Sequence, residues 1–162
     1  MAVYILRHGI AIPHTTPGMR DFDRPLTPQG LKRVRQIARG FASLALNVDE
    51  IVTSPLPRAL QTAEIMHAIV KPKRPLEISP QLSVSQSAAE IAAWLQNLDR
   101  CDRMLIGHNP SLSDLIGLLL KCDHPGTAFA LRRGGMAALQ PLRNGDYTLD
   151  WFARPRLLRR RA

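Results

Sequence analysis

The sequence predicts an α/β fold: a three-layer sandwich with a mostly parallel central sheet, helices on both faces and an antiparallel C-terminal edge. Three observations predict it. Up to Leu120 the chain repeats a short apolar run, a loop and a helix-spaced apolar pattern four times. The first run is continuous rather than alternating, as in strands buried on both faces. Past Leu120 the helical spacing gives way to extended segments around Asn144-Gly145, a hairpin turn signal.

Val3-Tyr4-Ile5-Leu6 is the first strand, and Gly9 ends it. Residues 10–25 then form a long polar loop punctuated by Pro13, Pro17, Gly18 and Pro25. Loops of that length in a compact domain are commonly functional. Thr27-Pro28 reads as an N-cap with proline at the first helical position. Leu31, Val34, Ile37, Ala38, Phe41 and Ala42 follow at helical spacing, so a helix is expected over 28–45. Ile51-Val52 marks a second strand over 49–53. Ala59, Thr62, Ala63, Ile65 and Met66 mark a second helix that ends before Pro72. Leu76–Ile78 is expected as a third strand and Ala88–Leu98 as a third helix. Arg103–Ile106 is the fourth strand, and Ser111–Leu120 the fourth helix. Phe129–Leu131, Gly135–Gln140 and Tyr147–Phe152 read as extended.

A length of 162 residues suits one domain with its own core. The expectation is a single domain over residues 1–153 and a basic tail over 154–162, solvated and frayed. No apolar run approaches the roughly 18 residues of a membrane span, and no signal pattern opens the chain, so a cytoplasmic, membrane-free protein is expected. Cys101 and Cys122 make no disulfide framework and are expected as thiols. The net charge is +9, and the last nine residues hold five of the 22 basic residues and no acid. The remaining 17 basic residues face 13 acids, so the domain itself is modestly basic. Anionic partners follow. With aromatics at 5% and none among the tail arginines, nucleic acid is not the expected one.

Ligands of open parallel sheets bind outside the carboxyl ends of the strands. There the sequence puts Arg7-His8-Gly9, then Thr53-Ser54-Pro55 with Arg58 one turn on, then Gly107-His108-Asn109-Pro110. Taken singly, His8 reads as a loop histidine, His108 as a turn residue, Arg58 as a solvated helix residue, and Gly9 and Gly107 as turn relief. Together they read as a phosphate site. The guanidinium fork matches phosphate, and helix N-termini add N–H donors. A metal reading of His8, His14 and His108 lacks carboxylate or thiolate company, so no metal is assigned.

These motifs resemble the histidine phosphatase superfamily, the phosphoglycerate mutase-like fold. Arg7-His8-Gly9 carries its first motif, and Ser54-Pro55, Arg58-Ala59 and Gln61-Thr62-Ala63 its second. Gly107-His108-Asn109-Pro110 carries its third, and Arg24-Pro25-Leu26-Thr27 with Gly30 the segment before the first helix. Within it, the short length and residues 24–27 look most like the SixA-type phosphohistidine phosphatases. The resemblance implies a hydrolase with no cofactor. His8 is then the nucleophile, Arg7 and Arg58 bind the transferring phosphoryl group, and His108 donates to it. Arg24, Gly9 and Asn109 complete the substrate-binding set. Neutral imidazole supplies the lone pair such a step needs, and arginines supply charge stabilisation.

Many relatives carry a carboxylate acid just after the third strand, whereas here no acid lies between Glu77 and Glu90. An alkoxide leaving group needs a proton, while imidazole, with a pKa of about 6.5, needs far less help. Phosphohistidine, or an aryl ester, is therefore favoured over an alkyl phosphate. Asp21 or Asp23 in the long loop remains an alternative acid. With little sequence available for a lid, the expected partner is a phosphohistidine-bearing protein domain, steered by Arg132-Arg133 and the C-terminal arginines. A monomer is expected. The alternative is a small-molecule or aryl phosphomonoesterase of the same superfamily.

Overall fold

The apolar run after Ala2 forms the strand β1 (Val3–Arg7), buried along four of its five residues. It lies inside a six-stranded sheet in a computed structural model that describes residues 1–123 and 128–160. The other elements are α1 (Pro28–Ala42), β2 (Glu50–Thr53), α2 (Pro57–Val70), β3 (Glu77–Ile78), α3 (Ala88–Gln96) and β4 (Arg103–Gly107). They continue with α4 (Ser111–Leu119), β5 (Met136–Pro141), β6 (Tyr147–Ala153) and α5 (Pro155–Arg159). The sheet order is β3-β2-β4-β1-β5-β6. The first four of these strands are parallel, and β5 and β6 add antiparallel pairs. The Asn144-Gly145 turn joins them, with Gly145 at φ +87°, where glycine carries no Cβ penalty.

Side chains of β1 alternate between two cores, and this makes the three layers. Tyr4 and Leu6 pack with Ile37 and Phe41 of α1, Met66 of α2 and Leu158 of α5. Val3 and Ile5 pack with Ile91 and Leu95 of α3 and Leu112 and Leu115 of α4. Thr27 caps α1, its hydroxyl oxygen accepting from the Gly30 N–H at 2.9 Å. A Cβ on Gly30 would overlap the Ile10 carbonyl, so glycine lets the long loop close onto α1. Ser87 and Glu90 form a capping box on α3. No helix of the described residues is long and apolar enough to cross a membrane.

Several expectations are corrected. Residues 129–131 form no strand. The β1 edge is already taken by β5, and the Leu131 carbonyl is spent on the side chains of Arg7 and Asn109. α1 stops at Ala42, because the chain tightens through Ser43–Ala45 and Ala45 adopts φ 53°. α3 and α4 end at Gln96 and Leu119, and β3 has only two residues, both exposed at the sheet edge. The stretch expected as a frayed tail is docked instead. Pro155–Arg159 is the helix α5, with Leu158 buried against α1 at Gly40. Tail residues 161 and 162 lie outside the described residues.

Candidate active site

The sheet register sets the site. β1 and β4 run parallel with Arg7 opposite Gly107, so the next residues of both strands, His8 and His108, emerge side by side. Their ring centroids are 5.1 Å apart. Thr53 of β2 pairs with Ile106 of β4, which brings Ser54 to the same edge. Its Oγ lies 2.9 Å from His108 Nε2. Arg58 enters on the first turn of α2. The cavity between them measures about 200 Å³ and is also lined by Arg7, Asp21, Arg24, Val84, Asn109 and Arg133.

His8 is held in one tautomer. Its Nδ1 lies 2.7 Å from the Gly9 carbonyl, which only accepts, so Nδ1 carries the proton and Nε2 keeps the lone pair. The turn beneath it is fixed by Thr62. That hydroxyl donates to the Arg58 carbonyl at 2.7 Å and accepts from the Gly9 N–H at 3.1 Å. Gly9 permits close packing, since a Cβ there would lie 2.5 Å from Val34 Cγ2. Burial, then the facing His108 and the guanidinium groups of Arg58 and Arg7, push His8 down to about 3 against the pull of the Gly9 hydrogen bond. Burial and then Arg58 push His108 down to about 3, with Asp21 opposing. Both imidazoles are therefore neutral near pH 7.

Around them several buried polar atoms are left unpaired. Among the described residues, five buried side-chain polar atoms have no partner within the protein. Four belong to residues lining this cavity: Arg7 Nε, Arg58 Nε, His108 Nδ1 and Asn109 Oδ1. Unsatisfied buried polar atoms are costly and rare, and four of them here belong to residues of one cavity. Arg7 is steadied by the Leu131 carbonyl at 2.9 Å, and Asn109 Nδ2 by the same carbonyl at 3.1 Å.

Of the two loop acids, only Asp21 reaches the cavity. Its carboxylate accepts from Arg24 Nη2 at 2.6 Å and from Arg58 Nη2 at 3.1 Å, while its carbonyl accepts from Arg58 Nη1 at 2.7 Å. Burial would raise its pKa, but the Arg24 hydrogen bond and the charges of Arg58 and Arg24 outweigh that and hold it below the usual carboxylate range. Asp23 pairs with Arg20 on the exposed side of the loop. Arg24 lines the cavity with its three nitrogens already engaged, two by Asp21 and one by the Ile12 carbonyl. His14 is exposed and does not join His8 and His108. From the acid-free stretch after β3, the residue that lines the cavity is the apolar Val84.

Sequence reasoning missed Ser54 and Thr62 as site-building residues, and Arg133 as a wall of the cavity. Their signal was present in the motif around Arg58, and in the neighbouring basic pair, but hydroxyl roles depend on partners from other strands.

Residues 3–83 match the histidine phosphatase superfamily (branch 1). An uncharacterised protein of Picosynechococcus sp. is 36% identical over 117 residues, 70% of each chain. The phosphohistidine phosphatase SixA of Escherichia coli is 27% identical over 159 residues, covering 96% of this chain and 94% of its own. A structure of the protein histidine phosphatase SixA complexed with tungstate superposes with a TM-score of 0.85 at 25% identity, over 98% of this chain and 99% of that one. With two histidines and two arginines meeting at the carboxyl edge of such a sheet, the chain belongs to the histidine phosphatase superfamily.

Proposed function

We propose that this protein hydrolyses phosphohistidine on a partner protein, through a covalent phosphohistidine on His8 and without a metal. The observation that carries the reading is a cavity lined by two histidines and four arginines, in which the His8 Nε2 is left with its lone pair.

His8 Nε2 attacks phosphorus, and the P–N bond to the substrate imidazole breaks as the P–Nε2 bond forms. The departing ring, protonated on its second nitrogen, leaves as neutral imidazole with its electron pair. Arg7 and Arg58 carry the charge on the phosphoryl oxygens, with His108 donating from its ring. Water then attacks the same phosphorus, the P–Nε2 bond breaks and inorganic phosphate departs. Asp21, ionised between two arginines, is a poor proton donor, and the residue of the acid-free stretch that lines the cavity is the apolar Val84. That absence favours a leaving group of low pKa. The curated name of the E. coli relative, a phosphohistidine phosphatase, and the tungstate complex of the solved SixA, an oxyanion shaped like phosphate, support the same chemistry.

The test is a comparison of substrates. Phosphohistidine protein is expected to turn over best, aryl phosphates next with a steep dependence on phenol pKa, and alkyl phosphates barely. A flat dependence, with alkyl esters as good as aryl ones, would give the small-molecule phosphomonoesterase instead. Radiolabel trapped after rapid quenching is expected as acid-labile phosphate on His8 and is expected to vanish in His8→Ala.

A further inference from the structure

A second depression, of about 490 Å³, opens beside the reactive cavity and shares Arg7 and Asn109 with it. It is lined by the apolar Leu131 and Phe152 and by the exposed Arg132 and Arg154, and among the described residues no acid lines it. Arg132, Arg154 and the neighbouring Arg133 are exposed, and none forms an ion pair among the described residues. The phosphoryl group does not need this space, because the cavity at His8 already has room for it. An apolar lining beside exposed arginines fits a surface that combines apolar side chains with flanking carboxylates.

We infer that this depression is the docking surface for the substrate protein, and that it takes an acidic, partly apolar face lying next to the phosphorylated histidine. The inference rests on the proposed reading of the reactive site and adds where the partner sits. Three consequences follow from its chemistry. Docking through unpaired arginines accelerates encounter and weakens as salt screens the charges. Small substrates that reach only the His8 cavity gain nothing from it. A partner stripped of acids around its histidine gains nothing either.

The experiment uses Arg132→Glu/Arg154→Glu in the full chain, with Arg132→Gln/Arg154→Gln as the milder variant should the charge reversal misfold. Thermal unfolding followed by circular dichroism checks the fold. Two probes are compared: a histidine phosphotransfer domain phosphorylated with phosphoramidate, and p-nitrophenyl phosphate. The expected result is a loss of about tenfold or more in kcat/KM for the phosphoprotein, with a flattened salt dependence, and an unchanged rate on p-nitrophenyl phosphate. Unchanged phosphoprotein kinetics would overturn the docking surface, as would an equal loss on both probes. A wild-type protein that hydrolyses p-nitrophenyl phosphate but not the phosphoprotein would instead overturn the proposed substrate class, and the docking surface with it.

Discussion

Arg58 is almost wholly buried, yet its two outer nitrogens are spent on Asp21 while its Nε remains partnerless beside the cavity. A guanidinium placed this way is costly unless an anion completes it. Arg58→Ala is expected to lower kcat/KM on an aryl phosphate by about a hundredfold or more. Lysine is expected to rescue only part of it, since it keeps the charge and loses the fork. The same logic gives a pH signature. His8 and His108 are held neutral when folded, pushed from 6.5 down to about 3. Between those values the unfolded chain binds more protons than the folded one. The stabilisation is therefore complete above 6.5 and is lost as pH falls toward 3. Urea midpoints compared at about pH 7 and pH 5 are expected to fall for the wild type and to stay nearly level for His8→Asn/His108→Gln. A wild-type midpoint independent of pH over that interval would mean that the imidazoles are hydrated.

At the scale of elements, α2 and α5 do different work. α2 brings Arg58 to the site and ties the His8–Gly9 turn through Thr62, so its first two turns are part of the chemistry. α5 is short and basic, and what holds it is Leu158 set against α1 where Gly40 leaves no side chain. Leu158→Ala is expected to cost about 2–5 kcal/mol in urea unfolding while leaving aryl phosphate turnover as it is. A variant as stable as the wild type would show α5 to be undocked in solution.

For the whole molecule, charge is the organising quantity. Four arginines and one carboxylate line the reactive cavity, and in the proposed mechanism these arginines carry the charge of the phosphoryl group. Activity is expected to be unchanged by EDTA, and a loss restored by zinc or magnesium would refute the metal-free mechanism. The Glu50, Asp99 and Cys101 cluster, the one group of metal-ligating type among the described residues, sits at the opposite end of the strands. There its carboxylates are already paired with Arg74 and Arg103.

Local information by itself determined the repeating strand-and-helix order, the N-cap at Thr27 and the hairpin at Asn144-Gly145, because periodicity and turn chemistry are properties of neighbours in the chain. It also determined that Arg7, His8, Arg58 and His108 share one edge, since parallel strands present their carboxyl ends together. The tertiary structure alone decided what each of these side chains does there. The His8 tautomer depends on the backbone turn at Gly9, and the anchoring of that turn on Thr62, 53 positions away. Asp21 and Asp23 are equivalent on paper, and only folding sends one to Arg58 and the other to solvent. The segment 129–131 carried the residues of a strand and became a brace, because β5 already held the edge it would have paired with. The basic tail became a helix because Gly40 opens room for Leu158 on α1. These outcomes rest on contacts between residues far apart in the chain, which composition and spacing do not encode.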